Sequence, residues 1–397
     1  MGRAGINTEI SPPLALYIHW PFCVTKCPYC DFNSHVRAGV DEGAWQAALL
    51  ADLAYEARVT AGHRLVSIFF GGGTPSLMPP RTAAALIEAA RRHWPSEAGM
   101  EITLEANPSS VEAARFADFA AAGVNRVSLG VQALDDAALR LLGRPHNLAE
   151  GLAAIDLAQR HFPRASFDLI HSRPGQTAAE WRRELARALS FGTGHLSAYQ
   201  LTIEEGTRFH SLHRQGLLHL PGEEEAAEMF ELTGELAGAA GLPLYEISNH
   251  ARPGEESRHN LAYWRYESYV GIGPGAHGRR SSLNQDGRRN GNATVRIRRP
   301  EAWIEAVRAQ GHGMEQETPI APGEAAEEAL LMGLRLADGI DPERFERTTG
   351  LALAEVVRAD ARARLVGMGL LEPGARLAVT EKGRPLTNRL LMELVAS

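Results

Sequence analysis

Six short apolar segments, each followed by a stretch of helical period, occupy the first 205 residues of this chain. The segments are rich in β-branched and aromatic residues and begin at Leu14, Leu65, Met100, Arg126, Ala165 and His195. Alanine-rich stretches between them, such as residues 42–57 and 81–94, place apolar residues at i, i+3 and i+4 as a helix packed on a sheet does. This alternation predicts an α/β fold with a parallel sheet. Six such units favour a partial (β/α)6 barrel of the TIM type, although a doubly wound open sheet has the same pattern.

The composition changes after about residue 278. Residues 279–299 are rich in arginine and predict an irregular polar loop. We therefore divide the chain into a barrel domain (1–278), an arginine-rich linker (279–322) and a C-terminal domain (323–397). The C-terminal pattern of helix, hairpin and helix predicts a small α+β domain resembling a winged helix. Its charge is slightly acidic, so DNA binding is not expected.

The totals exclude several protein classes. The 397 residues carry a net charge of −7, without the basic excess of a dedicated nucleic-acid binder. No run approaches 18 apolar residues, and the first residues lack the apolar core of a secretory signal. We expect a cytoplasmic protein with no nucleic-acid partner and no integral membrane segment, so that any contact with a membrane would come through its partners.

All three cysteines of the chain, Cys23, Cys27 and Cys30, lie just after the first predicted strand. An odd number packed so closely is not a disulfide framework, and thiolates suit an iron–sulfur cluster or zinc. Three thiolates on a cubane of four irons leave one iron open to another ligand. Zinc would need a fourth protein ligand, which could come from three nearby residues, namely His19, Asp31 and His35.

Polar residues and glycines follow the predicted strands where a parallel barrel places its chemistry. The segment Gly71–Pro75 closes the second strand, and its glycines allow a close backbone approach to a ligand. Glu105 ends the third strand and Gln132 the fourth, and Arg144 follows. Asp168 lies inside an apolar strand, where a carboxylate is costly unless it is paired. Taken one at a time, a plain tight turn and a surface acid remain alternatives.

The pattern C-x3-C-x2-C, with the aromatic Tyr29 before the last cysteine, resembles the signature of the radical S-adenosylmethionine (SAM) superfamily. The resemblance implies a [4Fe-4S] cluster on the three thiolates and SAM on the open iron. It also implies that an added electron cleaves SAM to a 5′-deoxyadenosyl radical. An enclosed barrel suits such a radical, which must be kept from water.

Further segments narrow the resemblance to one subgroup, formed by the oxygen-independent coproporphyrinogen oxidase HemN and its relative, the heme chaperone HemW. These segments are GGGTPSL, GVQALDD, LGRPH, RPGQT, HLSAYQLTIEEGT, YEISN and GIGPGAHG. The resemblance covers essentially the whole chain, including a HemN-type C-terminal domain. The SAM contacts that it implies are Tyr17, Tyr29, Gly72, Gly73, Thr74, Glu105, Gln132, Arg144 and Asp168.

Two features favour the heme chaperones within this subgroup. The oxidase has a fourth cysteine two residues after the third, where this chain has Phe32. The segment His259–Trp264 is similar to the H-N-x-x-Y-W motif, which is associated with heme in the chaperones. The resemblance implies heme contacts by His259, Asn260, Tyr263 and Trp264, since imidazole is a common axial ligand and aromatic rings can cover a macrocycle. From the residues alone, an ordinary histidine in a helix that buries its tyrosine and tryptophan is the alternative.

We therefore expect a cytoplasmic heme chaperone that binds a [4Fe-4S] cluster, SAM and heme, and delivers the heme to respiratory hemoproteins. The second hypothesis is a coproporphyrinogen oxidase that abstracts hydrogen from propionates. A zinc-stabilised binding module is the third.

Two segments stand apart from the family pattern. The family usually reads D-L-I-Y-G-L-P-G-Q-T around Asp168, whereas this chain has His171, Ser172 and Arg173 in place of Tyr, Gly and Leu. This departure bears on the geometry of the barrel mouth near the fifth strand. The arginine-rich stretch could pair with heme propionates or with an acidic partner, and a solvated loop is its plainer interpretation.

Overall fold

Six parallel strands, each followed by at least one helix, form the amino-terminal part of the structure, a computed structural model that describes residues 11–37, 39–283 and 289–395. In the described residues the strands are β1 (Pro13–Trp20), β2 (Phe22–Cys23), β3 (His35–Val36), β4 (Arg64–Gly72), β5 (Ser96–Ala106), β6 (Arg126–Gln132), β7 (Arg164–His171), β8 (His195–Gln200), β9 (Leu244–Glu246), β10 (Asn249–Ala251), β11 (Ser268–Ile272), β12 (His277–Leu283), β13 (Arg289–Arg296) and β14 (Met314–Ile320). All six predicted strands are confirmed, as β1, β4, β5, β6, β7 and β8.

The α-helices separate these strands as the alternating pattern predicts. They are α1 (Glu42–Val59), α2 (Pro80–His93), α3 (Ser110–Ala113), α4 (Phe116–Ala121), α5 (Asp136–Leu141), α6 (Leu148–His161), α7 (Ala178–Leu189), α8 (Arg208–Arg214), α9 (Glu223–Ala239), α10 (Arg258–Trp264), α11 (Pro300–Gln310), α12 (Pro322–Gly333), α13 (Pro342–Thr349), α14 (Leu353–Val356), α15 (Ala359–Gly367) and α16 (Thr387–Leu394). Several begin with a side-chain cap. Asn147 and Thr177 form reciprocal capping boxes with Glu150 and Glu180, which satisfy backbone N–H groups that the first helical turn leaves free.

One large sheet contains twelve of these strands in the order β14-β13-β12-β11-β1-β4-β5-β6-β7-β8-β10-β9. The strands from β11 to β8 are parallel, and the strands outside them are antiparallel. The parallel strand β11 pairs with β1 and was not among the predicted strands. Because helices cover the outer face, the parallel strands are largely buried, and their apolar side chains form one core with the facing helices. The predicted α/β architecture is confirmed.

The interpretation of residues 279–299 as an irregular polar loop is wrong for the described residues. Strands β12 and β13 are antiparallel, and β14 continues the sheet beyond them. Three arginines of the described residues here have carboxylate partners, namely Arg279, Arg280 and Arg296. Arg279 pairs with Glu328, and Arg296, which is fully buried, pairs with Asp52 and Glu56 on α1. Charge alone therefore misled the prediction, because the guanidinium groups of these three arginines are neutralised by residues distant in sequence. Residues 284–288 of this segment lie outside the described residues.

The C-terminal residues form their own apolar core from α12 to α16. Antiparallel bridges join Leu371 to Val379, both between α15 and α16, and Leu377 of the same segment to Ile340, which lies between α12 and α13. This arrangement of helices around a short bridged segment is the predicted small α+β domain. The domain boundaries themselves stay predictions. In the part of the chain that the structure describes, no helix is both long enough and apolar enough to cross a bilayer.

Candidate functional site

The three cysteines line one cavity of about 640 Å³ at the carboxyl ends of the parallel strands. Cys23 ends β2, which pairs with β3 across the cysteine loop, and the Cys30 amide donates to the Cys27 carbonyl oxygen at 3.2 Å. All three thiols are free. Burial raises the pKa of the Cys23 and Cys30 thiols. The loop therefore presents three sulfur donors to the same space.

Asn33 ties the cysteine loop to the turn that follows β11. Its side-chain amide donates to the carbonyl oxygens of Pro274 and Arg298, both at 2.9 Å. Its own carbonyl oxygen is 2.9 Å from His19 Nε2, while His19 Nδ1 contacts the Tyr17 hydroxyl at 3.0 Å. Both ring nitrogens of His19 are thus engaged by protein groups. His19 would have to release one of these two groups before it could serve as the fourth ligand that the zinc hypothesis needs.

The glycine segment after β4 packs directly against the cysteine loop. A Cβ on Gly73 would lie 2.8 Å from the Phe22 carbonyl oxygen and 3.0 Å from Cys23 Sγ. Gly72 has φ +115°, which favours glycine, and a Cβ there would meet the His19 ring. The Thr74 hydroxyl donates to Cys23 Sγ at 3.4 Å. The turn therefore packs on the cysteine loop and supports one of the cysteines.

Two carboxyl groups lie inside the strand barrel beneath this turn. Glu105 Oε2 accepts from the Gly72 amide at 3.2 Å. Burial, and secondarily the charge of Asp168, raises the pKa of Glu105 to about 8. Asp168 accepts from the Ser128 hydroxyl at 3.2 Å, and burial raises its pKa as well. The surface-acid alternative for Glu105 is wrong, since the side chain points into the interior and bonds the glycine turn.

Gln132 ends β6 in an unusual backbone conformation. Its φ is +70°, a left-handed value that is uncommon outside glycine and that marks strain held by the surrounding fold. Its side-chain oxygen Oε1 is buried without a hydrogen-bond partner among the described residues. Because Gln132 lines the cavity, this acceptor is available to a bound molecule.

Arg144 connects β6, β5 and the cysteine loop. Its Nη1 donates to Cys27 Sγ at 3.2 Å, and its Nη2 donates to the Gly130 carbonyl at 2.8 Å and to the Asn107 side chain. Its Nε is buried with no partner among the described residues. Asn107, which also donates to Thr74 Oγ1 at 3.1 Å, was missed by sequence reasoning even though it lies in the same LEANP segment as Glu105.

The cavity collects most of the predicted cofactor contacts. Its lining includes the three cysteines, Tyr29, Gly72, Gly73, Thr74, Glu105, Gln132 and Arg144. Tyr17 and Asp168 are not part of the lining. Asp168 bonds Ser128, which is part of it, and Tyr17 bonds His19, which lies against Gly72 of the lining. Phe32, at the position of the absent fourth cysteine, lines the rim with 58% of its surface exposed.

The segment His259–Trp264 lies on α10, away from this cavity. His259 is 1% exposed, and its imidazole is held between Ser67 Oγ at 2.9 Å and the Tyr263 hydroxyl at 2.6 Å. Burial lowers its pKa to about 3, so the ring is neutral. Its face stacks on Phe69, with 4.9 Å between ring centroids. In this arrangement no ring nitrogen of His259 faces open space.

Trp264, at the other end of α10, lies against the C-terminal domain. It lines a small pocket together with Ile340 and Phe345 of that domain. Beyond it, Tyr266 donates to Glu328 on α12 at 2.6 Å. The helix is therefore enclosed on both sides, by the strands of the barrel and by the C-terminal domain. Asn260 lies on the same helix, and its backbone N–H donates to Ser257 Oγ at 3.3 Å.

The departure at His171, Ser172 and Arg173 has a local explanation. Ser172 has φ +56°, the conformation in which the family pattern places a glycine, and its hydroxyl contacts His171 Nδ1 at 3.0 Å. Arg173 is buried and pairs with Glu184 of α7. These three residues therefore make their contacts within the turn and with α7. None of them lines the cysteine cavity.

Two sequence profiles match the chain, that of the radical SAM superfamily at residues 17–188 and that of the HemN C-terminal domain at residues 320–386. Over 382 residues the chain is 38% identical to the heme chaperone HemW of Escherichia coli (strain K12), which covers 96% of this chain and 97% of that protein. The chain belongs to the radical SAM superfamily, in its HemN/HemW group. It is also 40% identical over 399 residues to the mitochondrial radical S-adenosyl methionine domain-containing protein 1 of Mus musculus, covering 100% of this chain and 90% of that protein.

A solved radical SAM structure has the same fold. Coproporphyrinogen III oxidase (HemN) from Escherichia coli aligns with a TM-score of 0.77 and 22% sequence identity, over 98% of this chain and 91% of that one. Membership of the superfamily implies a [4Fe-4S] cluster and SAM. The residues fit both groups, because three thiols surround one cavity and two buried polar atoms on its lining residues, Gln132 Oε1 and Arg144 Nε, lack a protein partner.

Proposed function

We propose that this radical SAM protein is a heme chaperone, which binds heme in addition to a cluster and SAM and delivers the heme to respiratory hemoproteins. The similarity to HemW over 97% of that protein's length carries the proposal. Phe32 supports it, since the oxidase pattern has a cysteine at this position. We place the protein in the cytoplasm.

The cluster is assigned to Cys23, Cys27 and Cys30, and SAM to the open side of the same cavity. When both are bound they supply one-electron and radical chemistry. The protein contacts proposed for SAM are Tyr17, Tyr29, Gly72, Gly73, Thr74, Glu105, Gln132, Arg144 and Asp168. Of these, Gln132 Oε1 offers a buried acceptor and Arg144 Nε a buried donor. The backbone of the glycine turn packs on the cysteine loop beside Cys23, which is buried.

Heme is assigned to α10, through His259 with Asn260, Tyr263 and Trp264. A neutral imidazole is the form that binds iron, and the burial of His259 keeps it neutral. Iron would have to take the place of the Tyr263 hydroxyl at Nε2. Since α10 lies between the strands and the C-terminal domain, heme binding on this helix requires that α10 separate from at least one of them.

Heme titration of the purified protein, followed by the absorption of bound heme, tests the carrier role. We expect one saturable site and a loss of at least tenfold in affinity in His259→Ala, since removal of an axial ligand removes an iron bond. The matched control is His195→Ala, because His195 is also buried and its Nε2 also contacts a tyrosine hydroxyl, that of Tyr245 at 2.9 Å. Equal affinities in both variants and the parent would place the heme elsewhere, and no binding at all would refute the carrier role.

Two further assays separate the chaperone from the oxidase. Heme-loaded protein mixed with a heme-free respiratory hemoprotein should transfer its heme, which the change in absorption of the acceptor records. Anaerobic incubation of the cluster-loaded protein with SAM, a reductant and coproporphyrinogen III should leave the porphyrinogen unchanged. Accumulation of protoporphyrinogen IX would instead establish the oxidase.

A further inference from the structure

Arg144 is bonded to a cluster ligand as well as to the barrel. Its guanidinium contacts Cys27 Sγ through Nη1 at 3.2 Å, and its Nη2 is anchored by the Gly130 carbonyl oxygen and the Asn107 side chain. The group is planar and its donors are fixed relative to one another. Two anchors on one nitrogen therefore set the direction in which the other nitrogen donates, which is toward the sulfur.

The backbone on both sides of this contact is shaped for a close approach. Gly143 has φ +66°, and a Cβ there would lie 2.6 Å from the Pro28 ring. Pro28 immediately follows Cys27, and its carbonyl oxygen accepts from the Phe209 amide at 2.9 Å. Only a glycine before Arg144 lets this loop approach the cysteine loop so closely. The contact between the guanidinium and the sulfur therefore depends both on Gly143 and on the two anchors of Nη2.

The contact matters because the charge around a cluster sets its reduction potential. Hydrogen bonds to the cysteine sulfurs and nearby positive charge stabilise the reduced cluster, which carries one more negative charge, and so raise the potential. Arg144 supplies both at Cys27. The Thr74 hydroxyl supplies a neutral donor at Cys23, which is a weaker effect because charge-assisted hydrogen bonds are roughly twice as strong as neutral ones.

We propose that Arg144 raises the reduction potential of the cluster through its hydrogen bond to Cys27. Arg144 would thus favour electron transfer to the cluster by acting through Cys27, in addition to its proposed contact with SAM. The two roles use different atoms. Nη1 is occupied by the sulfur, whereas the buried Nε remains for an anionic group such as the SAM carboxylate. The inference requires the cluster and does not depend on whether the chain carries heme.

Redox titration of anaerobically reconstituted protein in the absence of SAM tests this proposal, because a contact with SAM then cannot contribute. The midpoint potential of the reduced cluster signal is measured by electron paramagnetic resonance. Arg144→Gln should lower the reduction equilibrium constant at least tenfold, which is 59 mV for a one-electron couple. The midpoint potential of Arg144→Lys should lie between those of the parent and Arg144→Gln, because lysine keeps the charge but cannot hold all three contacts.

The matched control is Arg115→Gln. Arg115 also donates to two backbone carbonyls at this end of the barrel, those of Ser76 and Met78, but to no cysteine. Its potential should equal that of the parent. An unchanged potential in an Arg144→Gln protein that holds a full complement of iron and sulfide would overturn the proposal. Failure of both Arg144 variants to hold a cluster would overturn it too, because Arg144 would then serve assembly rather than the potential.

Discussion

Glu105 is a carboxylic acid that the interior keeps protonated. Its neighbours are Asp168, which is also an acid, and the Gly72 amide. Removal from water disfavours the charged form, and a second carboxyl nearby disfavours it further. Together these effects raise the pKa of Glu105 from its ordinary value of 4.5 to about 8. The site can therefore present a neutral acid at physiological pH.

The pKa shift of Glu105 predicts a pH dependence of stability. The folded chain keeps this proton up to about pH 8, whereas the unfolded chain releases it near 4.5, so the folded state binds more protons in this window. The contribution of Glu105 to the free energy of unfolding then falls as the pH rises through the window. In Glu105→Gln this contribution is absent. Urea unfolding of the cluster-free chain at several pH values should show a smaller loss of stability in the variant toward pH 8.

A variant of an exposed carboxyl, Glu88→Gln, serves as the control for this measurement, since Glu88 lies on the surface in an ion pair with Arg92. Its pH profile should follow that of the parent. Parallel profiles for all three proteins would mean that Glu105 loses its proton near its ordinary pKa.

At the scale of the element, the glycine turn after β4 does more than terminate a strand. The Gly73 amide donates to the Trp20 carbonyl oxygen and the Thr74 amide to the Phe22 carbonyl oxygen, both at 2.8 Å. These bonds extend the pairing of β1 and β4 into the cysteine loop. The glycine turn and the end of β1 thus hold Cys23 in place together. This close approach is possible because Gly73 has no side chain.

Gly73→Ala tests this packing. The backbone conformation at Gly73 is not left-handed, so the obstacle to a Cβ is space alone: Phe22 and Pro21 backbone atoms and Cys23 Sγ lie within 3.0 Å of it. Overpacking costs about 1–3 kcal/mol. Since the strain falls on a cluster ligand, we expect the reconstituted variant to retain less iron and sulfide per chain than the parent, as chemical analysis would measure.

The control for this substitution is Gly234→Ala in α9, where no atom lies within 4 Å of the added carbon. Alanine is favoured over glycine in a helix by about 1 kcal/mol, so this variant should keep its full cluster content and unfold no more easily. A Gly73→Ala protein with the iron content of the control would show that the loop has room to move.

At the scale of the whole molecule, a buried ion-pair network joins the sheet extension to the first helix. Arg296 on β13 is fully buried and bonds Asp52 and Glu56 on α1, which are also fully buried. Asp52 accepts in addition from the Gly273 and Gly313 amides. Burial raises the pKa of Glu56, and only the nearby guanidinium groups oppose that rise. The network therefore depends on Arg296 remaining in place.

Replacement of Arg296 should reveal how tightly the extension is coupled to the barrel. In Arg296→Met the two acids lose their main partner, and breaking a buried pair costs about 3–5 kcal/mol. Urea unfolding should show a loss of this size. Arg389→Met, which breaks an exposed pair with Glu393, should leave the stability nearly unchanged, because water screens such a pair. A loss in Arg296→Met no larger than that of the surface variant would show that water reaches the acids.

Much of the fold followed from local patterns. The six strands and the helices between them could be predicted, because apolar periodicity is a property of neighbouring residues, and the cysteines and the Gly71–Pro75 turn followed from motifs of a few residues. Strand β11 and the β12–β13 pairing could not be predicted in the same way. Strand β11 pairs with β1, where Leu14 lies opposite Ser268, and the local β12–β13 hairpin has arginines neutralised by acids elsewhere in the chain, such as Asp52, which is 244 residues from Arg296.

The amino-acid sequence by itself determined that this chain is an α/β protein with three thiols at one strand end and with the motifs of the HemN/HemW group. Only the tertiary structure decided that Arg144 reaches a cysteine sulfur, that Asn107 and Asn33 hold the site together, and that His259 is enclosed on both sides. The physical reason is the same in each case. A residue's type limits which bonds it can make. The packing of elements that are distant in sequence determines which partner it meets and how far it is exposed to water.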